Sequence, residues 1–214
     1  MSLFLKVYKD VDDQAHDTSQ EEAFPAYIDG VDTSLAPFCP TSTARVLKTL
    51  RMGKVGPGDR VIDLGCGDGR FLTAAVGEFD CDSGLGIESD EDLVILSRKL
   101  ADRYYGDEYN CHTKHNLTFN HGDLLKTLKD GCQQALTIKD KENNRKDEAY
   151  LPWTVVILFL LPDHTHRFAE DILTLYQRGA KIISLVFNLS EIEGLTLQEE
   201  DSQDGIYVYS VNPL

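Results

Sequence analysis

The chain has 214 residues, 42% of them hydrophobic, and 36 acidic against 21 basic side chains give it a formal charge of −15. That length suits one domain with a sizeable core and is short for two. The acidity disfavours nucleic acid as a partner and favours basic ones. The longest apolar run, 155–161, is far shorter than the ~20 residues that cross a bilayer, so no membrane insertion is expected.

Residues 10–36 hold eight carboxylates and no basic residue, and no helical or strand period runs through them. Residues 1–36 are therefore expected to form a loosely attached acidic arm. The sign then reverses. Thr41-Ser42 supplies an N-cap, Val46, Leu47 and Leu50 form a helical stripe, and Gly53 ends the helix. Arg45, Lys48 and Arg51 share its other side and read as a solvated face or a ligand patch. From Pro57 onward, strand and helix alternate, which is the pattern of a parallel sheet covered on both faces. Strands are expected at 60–64, 83–88, 117–122, 153–161 and 181–189, and helices at 69–76, 92–104 and 163–176. A closing hairpin, 195–199 with 206–211, should lie antiparallel at the sheet edge. The almost wholly polar stretch 139–148 reads as an exposed insertion in a domain of residues 37–214. The fold class is thus α/β and Rossmann-like, with a mostly parallel sheet.

Cys39, Cys66, Cys81, Cys111 and Cys132 are odd in number and none forms a CxxC pair. This points to reduced thiols in the cytoplasm and to no zinc site. His164 and His166 sit two apart, a spacing that separates them on a helix and argues against metal ligation.

The chemistry concentrates after the first strand. Gly65, Gly67 and Gly69 alternate in DLGCGDGR at 63–70, between an apolar strand and a helix. Glycine there lets the backbone approach a ligand closely, but the spacing is GxGxG and not the GxGxxG of dinucleotide loops. Asp63 ends the strand and Asp68 lies within the loop. Two carboxylates repel a pyrophosphate and suit a cation such as S-adenosylmethionine, which carries an ammonium and a sulfonium. Glu88, ending the second strand, suits ribose hydroxyls. Asp123 in Gly122-Asp123-Leu124 suits an adenine amino group, with Leu124 over the ring, although Asp123 serves equally well as a helix N-cap.

DLGCGDGR resembles motif I of the class I S-adenosylmethionine-dependent methyltransferases, and Glu88 and the Gly-Asp-Leu element fit the same family. This resemblance spans about 60–189 and implies that Cys66, Asp68 and the three glycines form part of the cofactor site. A narrower similarity runs through Pro37-Phe-Cys-Pro-Thr-Ser42, the basic helix, Gly86-Ile-Glu88, Asp123-Leu-Leu-Lys126 and Phe159-Leu-Leu-Pro162. That order is similar to the small protein-lysine methyltransferases of the ATP synthase c-subunit and the adenine nucleotide translocase. It implies that Pro40 and Thr41 lie near the methionine moiety, and that Phe159, Leu160 and Pro162 flank the transferred methyl. The chain departs from that group in having Ser89-Asp-Glu91 for Asn-Pro-Trp, Leu125 for Trp, and no hydrophobic anchor segment. Mitochondrial association rests on this resemblance alone.

The expected acceptor is a lysine of a basic protein, met by a monomer or weak oligomer. A small-molecule methyltransferase and a non-catalytic scaffold of the same fold are the alternatives. Asp163 and His164 are candidate general bases at the correct sheet edge, and Asp163 also reads as an N-cap.

Overall fold

A computed structural model describes residues 2–18, 38–106, 116–137 and 151–212. Strands β1 (Arg60–Leu64), β2 (Ser83–Glu88), β3 (Leu117–His121), β4 (Val155–Leu158), β5 (Lys181–Leu185), β6 (Leu197–Asp201) and β7 (Ile206–Tyr209) form one sheet in the order β3-β2-β1-β4-β5-β7-β6. The first five are parallel; β7 runs antiparallel between β5 and β6. The expected strands at 153–161 and 181–189 are shorter than their apolar runs. The second stops because Val186 takes a φ of 67°, which turns the chain sharply after Leu185.

Side-chain alternation along the strands divides the interior into two cores. Val61, Val155, Ile157, Ile183 and Leu185 face one side, and Ile62, Leu64, Val156, Leu158 and Ile182 face the other. The first side is covered by α2 (Thr43–Met52), α3 (Arg70–Glu78) and α4 (Glu91–Tyr105). The second is covered by α5 (Leu124–Thr137) and α6 (Ala169–Gln177).

Residues 3–18 correct the expectation of a loose arm. They form helix α1 (Leu3–Thr18), which packs on α2, α3 and α4. Phe4, Val7 and Tyr8 are buried in the first core, so the apolar residues 3, 4, 7, 8 and 11 make a helical stripe hidden among acids. The rest of the arm and the 139–148 stretch lie outside the described residues.

The basic face of α2 is neither a bare solvated surface nor a ligand patch at two of its positions. Arg45 donates from Nη2 to the Gly205 carbonyl at 3.1 Å, and Lys48 pairs with Asp201 and Asp204. Both grip the turn between β6 and β7. Ser42 caps the helix as expected, accepting from the Arg45 amide.

Helix α5 has no counterpart among the sequence expectations, and its interior holds Gly131, a residue of low helix propensity. The structure gives that glycine a packing role: a Cβ there would stand 2.2 Å from the Trp153 ring. Gly131→Ala should therefore destabilise the fold by ~1–3 kcal/mol, despite alanine's better helix propensity. Chemical denaturation measures this, and a neutral or stabilised variant would show that the ring yields.

The expected helix at 163–176 divides in two. Pro162–Arg167 is a 3-10 helix, and α6 begins after Phe168. Asp163 is not the N-cap; that position belongs to Leu161. No helix among the described residues is long and apolar enough to cross a membrane.

Candidate active site

The glycine loop forms at the C-terminal end of β1, beside the point where the sheet order reverses. Gly65, Gly67 and Gly69 take φ values of 82°, 52° and 77°, a region costly for any residue with a Cβ. The Gly65 and Cys66 amides both donate to the Ile87 carbonyl, at 2.9 and 3.1 Å, which sews the loop onto β2.

Strand alternation sends Asp63 and Glu88 to the helix α3 side, since Asp63 shares parity with Val61 and pairs in register with Gly86. Three carboxylates thus converge, and each has a different fate. Asp68 is neutralised by Arg70, whose Nε and Nη2 donate to it at 3.0, 3.1 and 2.6 Å. Glu88 accepts from the Gly67 amide at 2.9 Å through Oε2, and from the Ser89 and Asp90 amides at 2.7 and 3.1 Å through Oε1. Asp63 is 4% exposed and accepts no hydrogen bond among the described residues. Burial pushes its pKa well up, and the nearby Glu88 and Asp68 charges push it further. The same burial, with Asp63 beside it, raises the Cys66 thiol and keeps it protonated.

These groups line a cleft of roughly 770 Å³, a size suited to a nucleoside-sized ligand. Pro40, Thr41, Asp63, Gly65, Cys66 and Gly67 lie in its wall, as do Asp68, Glu88, Asp123, Leu124, Phe159 and Leu160. Four of the residues singled out from the sequence do not. Gly69 turns away, its Cβ position filled by Phe119 and Ser97. Pro162, Asp163 and His164 begin the 3-10 helix whose last residue, Arg167, does line the cleft, and Pro162 and Asp163 are exposed. Asp123 retains both of its readings: it lines the cleft and accepts from the Leu125 and Lys126 amides at 2.8 and 3.3 Å.

Sequence reasoning missed Arg70, Phe71, Phe38 and Arg167, which also line the cleft. Arg70 could have been found, because a basic residue following Asp68 by two offers the loop's carboxylate a local partner. Nothing local announces Arg167, which depends on the turn after β4. Phe38 lies against the loop, its ring occupying the space beside Gly67 where a Cβ would come within 2.5 Å.

No protein-family profile matches the chain. It is similar over 80% of its length to an RNA methyltransferase from Salinibacter ruber, solved in complex with S-adenosyl-L-homocysteine. That likeness has a TM-score of 0.56 and 26% sequence identity, and covers 91% of the Salinibacter chain. The chain has the class I S-adenosylmethionine-dependent methyltransferase fold. A likeness to the precorrin 8w decarboxylase of Methanobacterium thermoautotrophicum concerns the fold alone, with a TM-score of 0.52 and 14% identity over 81% of this chain and 92% of that one. Among curated proteins, a protein-lysine N-methyltransferase of Saccharolobus islandicus (strain REY15A) is 36% identical over 58 residues. The match spans 27% of this chain and 36% of that relative's length. Within the methyltransferase fold, the cleft described above lies at the carboxyl ends of β1, β2, β3 and β4, the edge where open α/β sheets take ligands.

Proposed function

We propose that the chain is an S-adenosylmethionine-dependent methyltransferase whose acceptor is a lysine side chain on a basic protein. The observation that carries the cofactor reading is Asp63, a buried carboxylate without a hydrogen-bonding partner among the described residues, beside Asp68 of the loop and Glu88 of β2, both of which accept hydrogen bonds from the protein. A cationic ligand supplies what Asp63 lacks. Glu88 and Asp123 would hold the nucleoside, and Pro40 and Thr41 would cover the methionine part. When bound, S-adenosylmethionine supplies an activated methyl group for in-line displacement.

The protein's own part is alignment and exclusion of water. Phe38, Phe71, Phe159 and Leu160 give the cleft an apolar wall, which favours the neutral, nucleophilic amine over its ammonium form. Asp163 and His164 do not line the cleft, and no general base is assigned to them. The amine then loses its proton to solvent, and turnover rises with pH until the free amine predominates.

The lysine assignment draws support from the short match to the Saccharolobus enzyme and from the net charge of −15. RNA is a second reading, favoured by the likeness to the Salinibacter enzyme and opposed by that same charge. Incubation with methyl-labelled S-adenosylmethionine and a cell extract separates the two. Label should appear as methyllysine in protein; label in nuclease-sensitive material would establish the second reading instead. Label in small molecules would place the acceptor among metabolites. If calorimetry shows no cofactor binding at high micromolar concentration, the chain is a scaffold.

A further inference from the structure

The geometry points to Arg70 as a positioning residue through which helix α1 holds the cofactor strap closed, an inference that rests on the cofactor reading above. Arg70 is 2% exposed, and its guanidinium joins three separate segments. Nε and Nη2 hold Asp68 of the glycine loop. Nη1 donates to Asp12 of α1 at 2.7 Å and to the Thr41 backbone carbonyl at 2.5 Å. Tyr8, also on α1, places its ring 5.4 Å from Cζ and donates its hydroxyl to Thr73 at 3.0 Å.

Thr41 closes a strap, residues 38–41, all four of which line the cleft. The carbonyl held by Arg70 therefore belongs to the strap and not to the rigid loop. Only a planar fork with several fixed donors can serve a carboxylate on one side and a carbonyl with a second carboxylate on the other. Asp12 does not line the cleft, and its side chain is 25% exposed. Its charge keeps Nη1 directed at the junction of α1 and the strap. Without that charge, the guanidinium is drawn toward Asp68 alone and the strap loses its anchor.

The expected consequence is kinetic. A looser strap lets a bound ligand escape sooner and leaves its arrival almost unchanged. The test uses the full chain and S-adenosylmethionine, with dissociation and association followed by stopped flow. Asp12→Asn should dissociate the cofactor ~10-fold faster at a similar association rate and a melting temperature within a few degrees of the parent. Asp12→Glu should restore slow dissociation. Arg70→Lys, which keeps the charge but not the fork, should resemble Asp12→Asn or exceed it. In the ligand-free protein, Asp12→Asn should also speed amide hydrogen exchange over 38–42. Unchanged dissociation in Asp12→Asn would overturn the inference, as would a loss that follows melting temperature and is not rescued by glutamate. Failure of the parent protein to bind would overturn the cofactor reading itself, and this inference with it.

Discussion

Asp63→Asn should weaken S-adenosylmethionine binding by about 10–100-fold while the ligand-free protein keeps or gains stability. The first half follows from losing a charge-assisted contact in a buried site, which is worth ~1.5–3 kcal/mol. The second follows from linkage. Burial first, then Glu88 and Asp68, raise the Asp63 pKa in the folded chain above its unfolded value. Such a group contributes stability below the unfolded pKa and loses it as pH rises through the folded pKa. Near neutral pH the parent protein therefore bears a cost that asparagine removes. A bound cation reverses the situation, since it needs the ionised carboxylate. Parent affinity should fall on acidification through the raised pKa, and calorimetry in buffers of different ionisation enthalpy should detect proton release on binding. The variant should show neither effect. Equal affinity for parent and variant across pH would remove Asp63 from the cofactor site.

Gly69→Ala should fail in the opposite way, losing stability whether or not ligand is present. Its φ of 77° costs an alanine ~1–2 kcal/mol. The new methyl would also stand 2.5 Å from the Phe119 ring and 2.8 Å from Ser97 Cβ, both fully buried. Overpacking of that kind costs a further 1–3 kcal/mol or so, and the sum of about 2–5 kcal/mol is a large part of an ordinary domain's margin. Urea denaturation should give a lower midpoint with an unchanged slope. Gly67→Ala is the control. Its methyl meets only the Phe38 ring, which is 47% exposed and able to swing, so it should keep more of the fold. A Gly69 variant as stable as the parent would mean that the loop has room the structure does not show.

The two glycines show where sequence reading succeeds and where it stops. GxGxG announces a backbone that must turn, and Asp63 and Glu88 announce charge at strand ends, because both signals are local. Nothing local distinguishes Gly67, which lines the cleft, from Gly69, whose missing side chain makes room for Phe119 on β3. The same limit applies to α5, whose Gly131 shows its packing role only once Trp153 is placed against it. Helix α1 was legible in principle through the spacing of Phe4, Val7, Tyr8 and Val11, but its carboxylates concealed the stripe. Arg45 and Lys48 found their partners 160 and 156 residues away, a distance no window along the chain can bridge.

That long reach also bears on how the molecule is made. β6 precedes β7 in the chain yet, among the described strands, joins the sheet through β7 alone. During synthesis, β6 must wait as a bare strand until 206–209 emerge and dock on β5, while Arg45 and Lys48 wait with nothing to hold. The exposed Glu199 and Glu200 on β6 are suited to that interval, since repelling charges keep an unpaired edge from joining another chain's. A nascent chain halted before residue 206 should therefore leave β5 open as well and be recognised by chaperones as unfinished.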